Sequence, residues 1–269
     1  MSTKPKVSVI IPTMNDGKNL IHAIESVFLQ TYKDYEIIVI DDGSTDDTKN
    51  ILSSYIDMNK IKYIYQNNSG VGNARSNGVN ISRGEYVAYL DSDDQWIDNE
   101  KLAKQVEFLD SNIDYVLVGT GVVNVDLDGV EINRYLMTEN DEFIRRKILR
   151  INTFVNSSVL FRRSSYDKVG SSGSILEDYD LWLKLGTVGK LKNLPIYAVK
   201  FLVNFLGHGA LNKKDRLNEN LKLSQKYKNI YPGYTRAFLL GYFKICFYPL
   251  FKLLPLRIKG ILIKLHKKL

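Results

Sequence analysis

Three acidic stretches carry most of the chemistry this sequence has to offer: Asp41-Asp42-Gly43-Ser44-Thr45-Asp46, Asp91-Ser92-Asp93-Asp94 and Glu177-Asp178-Tyr179-Asp180. The three carboxylates in 91–94 repel one another unless a cation or hydrogen-bond donors neutralise them. A hard divalent ion, Mg²⁺ or Mn²⁺, is one neutraliser, held by one or two carboxylate oxygens and completed by a diphosphate and water. An Asp-rich turn capping the next helix is the alternative. Asp41-Asp42 carries the same ambiguity, because Asp-Gly-Ser is ordinary turn chemistry and Ser44 or Thr45 stands where it would cap a following helix. In Glu177-Asp178-Tyr179-Asp180-Leu181-Trp182 the acids open an amphipathic stretch, where the backbone dipole alone favours them. The chemical alternative is a carboxylate base able to draw a proton from a hydroxyl.

Arg75, in Gly70-Val71-Gly72-Asn73-Ala74-Arg75, is either a guanidinium aimed into a cleft at a nucleotide phosphate or base, or a solvated arginine on a helix face. The Gly-x-Gly before it lacks the third glycine of a dinucleotide site and does not follow the first strand. No Gly-Lys-Ser/Thr of a phosphate-binding P-loop follows it either.

The elements that would position these groups are readable from hydropathy. Apolar, β-rich runs at 7–12, 35–40, 61–65 and 85–90 alternate with amphipathic stretches at 17–30, 45–55, 70–82 and 99–109. That alternation predicts a parallel sheet covered by helices. In the first amphipathic stretch, Leu20, Ile24, Val27 and Phe28 keep helical spacing. A long β-branched run at 115–125, a turn at 126–129 and a returning strand at 130–135 make the sheet mixed. Helices are expected at 139–150, 164–168 and from 177, and a strand at 154–161. In such a sheet ligands bind beyond the carboxyl ends of the strands, and the acidic stretches at 41–46 and 91–94 fall there.

Taken in order, Val7-Ser8-Val9-Ile10-Ile11-Pro12-Thr13-Met14-Asn15, Ile38-Val39-Ile40-Asp41-Asp42-Gly43-Ser44-Thr45-Asp46, Gly72-Asn73-Ala74-Arg75-Ser76-Asn77-Gly78, Tyr89-Leu90-Asp91-Ser92-Asp93-Asp94 and Glu177-Asp178-Tyr179-Asp180-Leu181-Trp182 resemble the motif series of the family-2 glycosyltransferases, over about residues 6–210. The resemblance implies a GT-A fold, an α/β three-layer nucleotide-binding architecture with a mostly parallel mixed sheet. It also implies an inverting transferase that takes its sugar from a nucleotide-diphosphate donor with a divalent cation, Mn²⁺ or Mg²⁺, in the cleft. By likeness, Pro12, Met14 and Asp42 line the nucleobase pocket, Arg75 and Asp91 help to hold the nucleotide sugar, and Asp91 and Asp93 form the metal-binding Asp-x-Asp, with Asp93 as the direct ligand. Asp178 falls on the general base. His208, in Gly207-His208-Gly209, is either a further metal or phosphate contact or an exposed loop histidine. Asn156, Glu177 and Trp182 fall on the acceptor side, although Asn156 and Trp182 read equally well as core or wall. Met14 stands where the family commonly has an aromatic residue against the base; a methionine sulfur also packs on rings.

Composition bounds the rest. A chain of 269 residues with 44% hydrophobic and 25% charged residues is ordinary globular material and large enough for a packed enzyme core. The net charge of +7 belongs to the tail: residues 236–269 hold eight Lys and Arg and no acid, leaving 29 cations against 30 acids elsewhere. A nearly neutral body with a cationic, apolar C-terminus points to an anionic membrane surface rather than to nucleic acid. From Leu256, the side chains Ile258, Ile261, Leu262, Leu265 and Leu269 keep one helical face, opposite Arg257, Lys264 and Lys268. This reads as an interfacial anchor, or else as a terminal helix packed on the body. One cysteine, Cys246, and an N-terminal stretch without an apolar signal core make a reducing, cytoplasmic location the expectation. The expected organisation is a catalytic domain over 1–210 and a helical, basic region over 211–269. It would lie against the inner face of the cell membrane, near a saccharide acceptor linked to polyprenyl diphosphate in bacterial surface polysaccharide synthesis. The competing readings are a sugar-nucleotide pyrophosphorylase, whose Gly-rich basic loop after the first strand is not supplied by Pro12-Thr13-Met14-Asn15, and a non-catalytic metal-dependent sugar-binding module.

Overall fold

The computed structural model describes residues 4–203 and 213–253. His208 and the amphipathic run from Leu256 lie outside the described residues, with the expectations placed on them.

The first apolar run is β1 (Val7–Thr13), and all seven of its residues are buried. A parallel strand covered on both faces reads as a continuous apolar run rather than an alternation, and its pleat sends neighbouring residues to opposite sides. Ile10 therefore packs with one core, and Val9 and Ile11 with the other. Helix α1 (Gly17–Phe28) lays Leu20, Ala23, Ile24 and Val27 on the second core, each large aliphatic side chain contributing about 1.5–3 kcal/mol by leaving water. β2 (Tyr35–Asp41) runs parallel to β1.

The stretch expected to form one helix at 45–55 forms two short pieces, α2 (Thr48–Ile51) and α3 (Ser53–Asp57). Neither Ser44 nor Thr45 caps them. The N-cap residue of α2 is Asp47, without a side-chain cap bond; Asp46, just before it, accepts from the Thr48 N–H through Oδ1 at 3.1 Å, while Ser44 is used by another turn. β3 (Lys62–Tyr65), α4 (Val71–Ile81) and β4 (Tyr86–Tyr89) complete the parallel half.

The second half holds β5 (Gln95–Trp96), α5 (Lys101–Ser111), β6 (Tyr115–Val125), β7 (Glu131–Tyr135) and α6 (Asp141–Ile148). β6 and β7 form the expected antiparallel pair. The strand expected at 154–161 is instead a 3₁₀ turn, Asn156–Ser158, followed by the short β8 (Leu160–Arg162). The polar run Asn156-Ser157-Ser158 is buried; the side chains of Asn156 and Ser157 serve the acidic turn after β4, and the Ser158 hydroxyl donates to the Val155 carbonyl. After α7 (Arg163–Val169) and α8 (Glu177–Leu185) comes β9 (Lys190–Leu202), for which no strand was expected. Pro195 and three lysines obscure its apolar pattern, but it runs parallel to β6 along nearly the whole length of that strand. The nine-stranded sheet has the order β3-β2-β1-β4-β8-β6-β9-β5, with β7 paired to β6.

Two further helices follow, α9 (Lys213–Lys226) and α10 (Tyr234–Leu253). Although they fall in the 211–269 region, Leu223, Tyr227, Tyr231 and Ala237 enter the same core as Trp182 and β1 residue Ile10. The Tyr231 hydroxyl donates to the Leu183 carbonyl at 2.6 Å and the Ser224 hydroxyl to the Leu149 carbonyl at 2.7 Å, so α9 and the turn after it are tied to α8 and the end of α6. No helix among the described residues is long and apolar enough to cross a membrane.

Candidate active site

Because β1, β2 and β4 are parallel neighbours, the turns that follow them open on one edge of the sheet, where open α/β sheets bind ligands. Hydrogen bonds stitch these turns together. The Asn15 N–H donates to Ser44 Oγ (2.8 Å), Asn15 Oδ1 accepts from the Thr45 N–H (2.8 Å), and Ser92 Oγ donates to Asp16 Oδ2 (2.7 Å). Asn15 adopts φ 54°, in the left-handed region that asparagine tolerates better than most residues. The sequence assigned Asp16 no role; its position just after the first strand was the only signal.

Asp42 is buried. Its Oδ1 accepts from Gln66 Nε2 and the Ser69 N–H, and its Oδ2 from the Gly70 N–H, all at 2.8 Å. It thus ties the end of β2 to the loop entering α4. Pro12 is buried within β1, whereas Met14 is 49% exposed at the mouth of the cleft, its Sδ accepting from Asn68 Nδ2 at 3.0 Å.

Arg75 joins the two acidic centres. It is buried in α4, its Nη1 donating to Glu177 Oε1 and its Nη2 to Asp91 Oδ1, with the guanidinium carbon 5.8 Å from the centre of the Tyr89 ring. The reading of Arg75 as a solvated helix-face arginine is thereby set aside. Burial alone would weaken its hold on the proton, but Asp91 and Glu177 outweigh that and keep it firmly cationic. Gly72, one turn earlier, is needed for close approach: a Cβ there would stand 2.9 Å from Glu177 Cγ.

The acids of 91–94 separate by environment. Asp91 also accepts from Asn156 Nδ2 at 2.8 Å, and its N–H donates to Ser157 Oγ at 3.0 Å. Asp94 is 1% exposed, accepting from the Ser157 hydroxyl and, at 3.0 Å, from the Leu202 N–H. Burial, then Asp91 and Asp93, pushes its carboxyl far above the usual range. Asp93 keeps surface open to the cleft, yet surrounding protein first, then Asp91 and Asp16, push its pKa up to about 6. Among the described residues no set of three or more His, Cys, Asp and Glu side chains is gathered as a metal cage.

Asp178 lines a small pocket with Arg75, Glu177, Tyr89, Ser171 and Ser172. Its Oδ2 accepts from Asn152 Nδ2 at 3.3 Å. Burial raises its pKa; Arg75 and, from α9, Arg216 oppose the shift, while Asp91 adds to it. Glu177 is likewise raised, by burial before anything else. Asn152 and Arg216 were missed in the sequence, where nothing local marks either.

Asn156 reaches the site through Asp91. Trp182 does not reach it. It is fully buried, its ring 6.2 Å from those of Tyr89, Phe154 and Phe161, so the core reading replaces the acceptor-side one: residues 177 and 182 lie on different faces of α8. His208 lies outside the described residues.

Similarities to other proteins fit this arrangement. Residues 8–170 match the family described as "Glycosyl transferase family 2". An uncharacterised glycosyltransferase of Rickettsia bellii is 32% identical over 68% of this chain, which spans only 26% of that relative. The Escherichia coli protein WfaP, described as a UDP-Glc:alpha-D-GlcNAc-diphosphoundecaprenol beta-1,3-glucosyltransferase, is 27% identical over 89% of this chain and 92% of its own length. Among solved structures, residues 1–349 of S. aureus TarS in complex with UDP-GlcNAc superpose with a TM-score of 0.69 at 20% identity, covering 94% of this chain and 77% of that one. The Pyrobaculum calidifontis mannosyltransferase PcManGT, bound to GDP-Man and Mn²⁺, gives 0.65 at 18% identity, covering 91% and 70%. The architecture is the GT-A fold expected from the motif series. With more than half of its length matched by the family description, the chain belongs to glycosyl transferase family 2.

Proposed function

We propose that this chain is an inverting glycosyltransferase that moves a sugar from a uridine diphosphate donor to a hydroxyl of a lipid-linked saccharide. The observation that carries the reading is the Arg75 bridge, which ties Asp91 in the turn after β4 to Glu177 in the first turn of α8 and so brings Asp178 within electrostatic reach of Asp91. The uridine donor is supported by the TarS complex, and the lipid-linked acceptor by what WfaP is described to act on.

In this reading the loops beyond Pro12, Met14 and Asp42 receive the base. Asp178 takes the proton from the acceptor hydroxyl as its oxygen attacks the anomeric carbon. Burial makes that carboxylate a stronger base than an exposed aspartate. Arg75 keeps Asp91 and Glu177 in place and opposes the rise that burial imposes on Asp178. One displacement inverts configuration, and an α-linked donor yields a β-linked product.

The residues present fit a divalent cation of the Mg²⁺ or Mn²⁺ type. Burial first, then the neighbouring charges of Asp91 and Asp16, lifts Asp93 to about 6; a cation relieves the repulsive part of that rise, and such ions are commonly bound by one or two carboxylates with the rest of the shell from substrate phosphates and water. Asp93 would hold it, with Asp91 beside it, and when bound the ion would neutralise the diphosphate leaving group. PcManGT with its Mn²⁺ supports this. Attachment to the inner face of the membrane is part of the proposal. It is supported by the run of eight cations without an acid over 236–269 and by the outward Leu239 and Tyr242 of α10, 62% and 58% exposed.

The test is a panel of UDP-, GDP- and dTDP-sugars with and without Mn²⁺, scored by thermal shift and by nucleotide release. UDP-sugars should stabilise the protein and be turned over. Asp178→Asn should abolish transfer while UDP binding persists, which separates an enzyme from a sugar-binding module. No shift with any sugar nucleotide would refute the donor site.

A further inference from the structure

The loop between α7 and α8, residues 170–176, supplies Ser171 and Ser172 to the pocket that holds Asp178. It is not part of any strand pairing. Its shape rests on side-chain bonds: Ser172 Oγ accepts from the Ser174 N–H (3.0 Å), and Ser174 Oγ accepts from the Leu176 N–H (3.0 Å). Both hydroxyls then donate to acids from elsewhere, Ser172 to Asp180 Oδ2 and Ser174 to Glu219 Oε1 of α9, each at 2.8 Å.

Asp180 is the centre of this arrangement. Successive helical residues turn by about 100°, so positions 178 and 180 lie on nearly opposite faces of α8. Asp178 looks into the pocket and Asp180 looks away from it. Although only 2% exposed, the Asp180 carboxylate is fully engaged: Oδ1 accepts from the Tyr227 hydroxyl at 2.7 Å and from Lys226 Nζ at 3.0 Å, and Oδ2 takes Ser172. The same helix α9 carries Arg216, close enough to act electrostatically on Asp178.

We infer that Asp180 is a positioning residue for the transfer reaction: it latches the 170–176 loop and helix α9 to the back of α8, and so sets the wall against which the acceptor hydroxyl meets Asp178. The C-terminal helix α9 is then a component of the acceptor side rather than an appendage. This rests on the reading of Asp178 as the base and of its pocket as the acceptor side. A purely structural buttress would lower stability alone; a positioning device acts on the acceptor and leaves the donor untouched.

The test uses the full chain with Tyr227→Phe and Asp180→Asn, each removing hydrogen bonds while keeping shape. The acceptor KM should rise about 10-fold, equivalent to about 1.4 kcal/mol. Nucleotide release without acceptor, and the affinity for UDP, should stay within about twofold for Tyr227→Phe. Hydrogen exchange at the amides of 170–176 should quicken in both variants. An unchanged acceptor KM, or a parallel fall in donor hydrolysis, would overturn the inference even if the base assignment stands. If no turnover is found in the unaltered enzyme, the functional reading fails instead, and unchanged exchange at 170–176 still refutes the latch by itself.

Discussion

Replacing Arg75 by glutamine should expose how much of this architecture depends on one buried cation. The guanidinium side chain is 9% exposed, while its partners Asp91 and Glu177 are 25% and 19% exposed. Removing one member of a buried ion pair typically costs 3–5 kcal/mol, because the remaining charge is left uncompensated. Here the two carboxylates retain some water and Asp91 keeps Asn156, which places the loss nearer the low end, about 2–3 kcal/mol. For a chain of this size that corresponds to a fall in Tm of about 5–10 °C. The pH dependence has a definite sign. Burial already raises the Glu177 pKa, and Arg75 is the main group opposing that rise, so Arg75→Gln raises it further. A carboxyl whose folded pKa exceeds its unfolded value costs stability above the folded pKa and is relieved as pH falls through it. The defect should therefore be largest at pH 8 and shrink towards pH 5. Thermal denaturation of wild type, Arg75→Gln, Glu177→Gln and the double variant at both pH values supplies the measurement. The double variant should be more stable than the two single losses added together. A Tm within about 2 °C of wild type at pH 8, or an equal defect at both pH values, would refute the reasoning.

Asp93→Asn should stabilise the metal-free protein at pH 8, because a carboxyl raised to about 6 costs stability above that pH; with its open surface discounted for solvent screening the gain is about 1 kcal/mol. Melting curves should show that gain at pH 8 and none below pH 4, and destabilisation at pH 8 would contradict the crowding argument. The acidic limb of kcat/KM should lie above the usual aspartate range of 3.8, since Asp178 must be ionised to accept a proton and its pKa is raised; a limb at or below 3.8 would remove Asp178 from the role of base. Gly78→Ala places a methyl group against Ile10 Cγ2 beneath α4, an overpacking that should cost about 1–3 kcal/mol in urea denaturation. A neutral substitution would mean that α4 is free to shift on the sheet.

The parallel half of the fold was legible because its signals are local. Leu20, Ile24 and Val27 mark α1, and the unbroken apolar run of β1 marks a strand covered on both faces. The long β6 and its returning partner were legible for the same reason. β9 was not, since Pro195 and its lysines hide a strand defined mainly by its pairing with β6. The strand expected at 154–161 failed for the opposite reason: β-branched residues flank Asn156-Ser157-Ser158, of which Asn156 and Ser157 are spoken for by Asp91 and Asp94. Trp182 followed the acidic motif in sequence, yet helix geometry turned it into the core.

By itself the sequence determined where the acids would stand, because strand ends and helix starts follow from hydropathy periods a few residues long. Tertiary structure decided what each acid does. Asp94 is satisfied by an amide 108 residues away, Arg75 by a glutamate 102 residues away and Asp42 by groups 24 to 28 residues away, and only Asp93 of its cluster is left facing the cleft. A carboxylate must find a donor or a cation wherever packing brings one, and that choice is made between distant segments, where no local pattern records it.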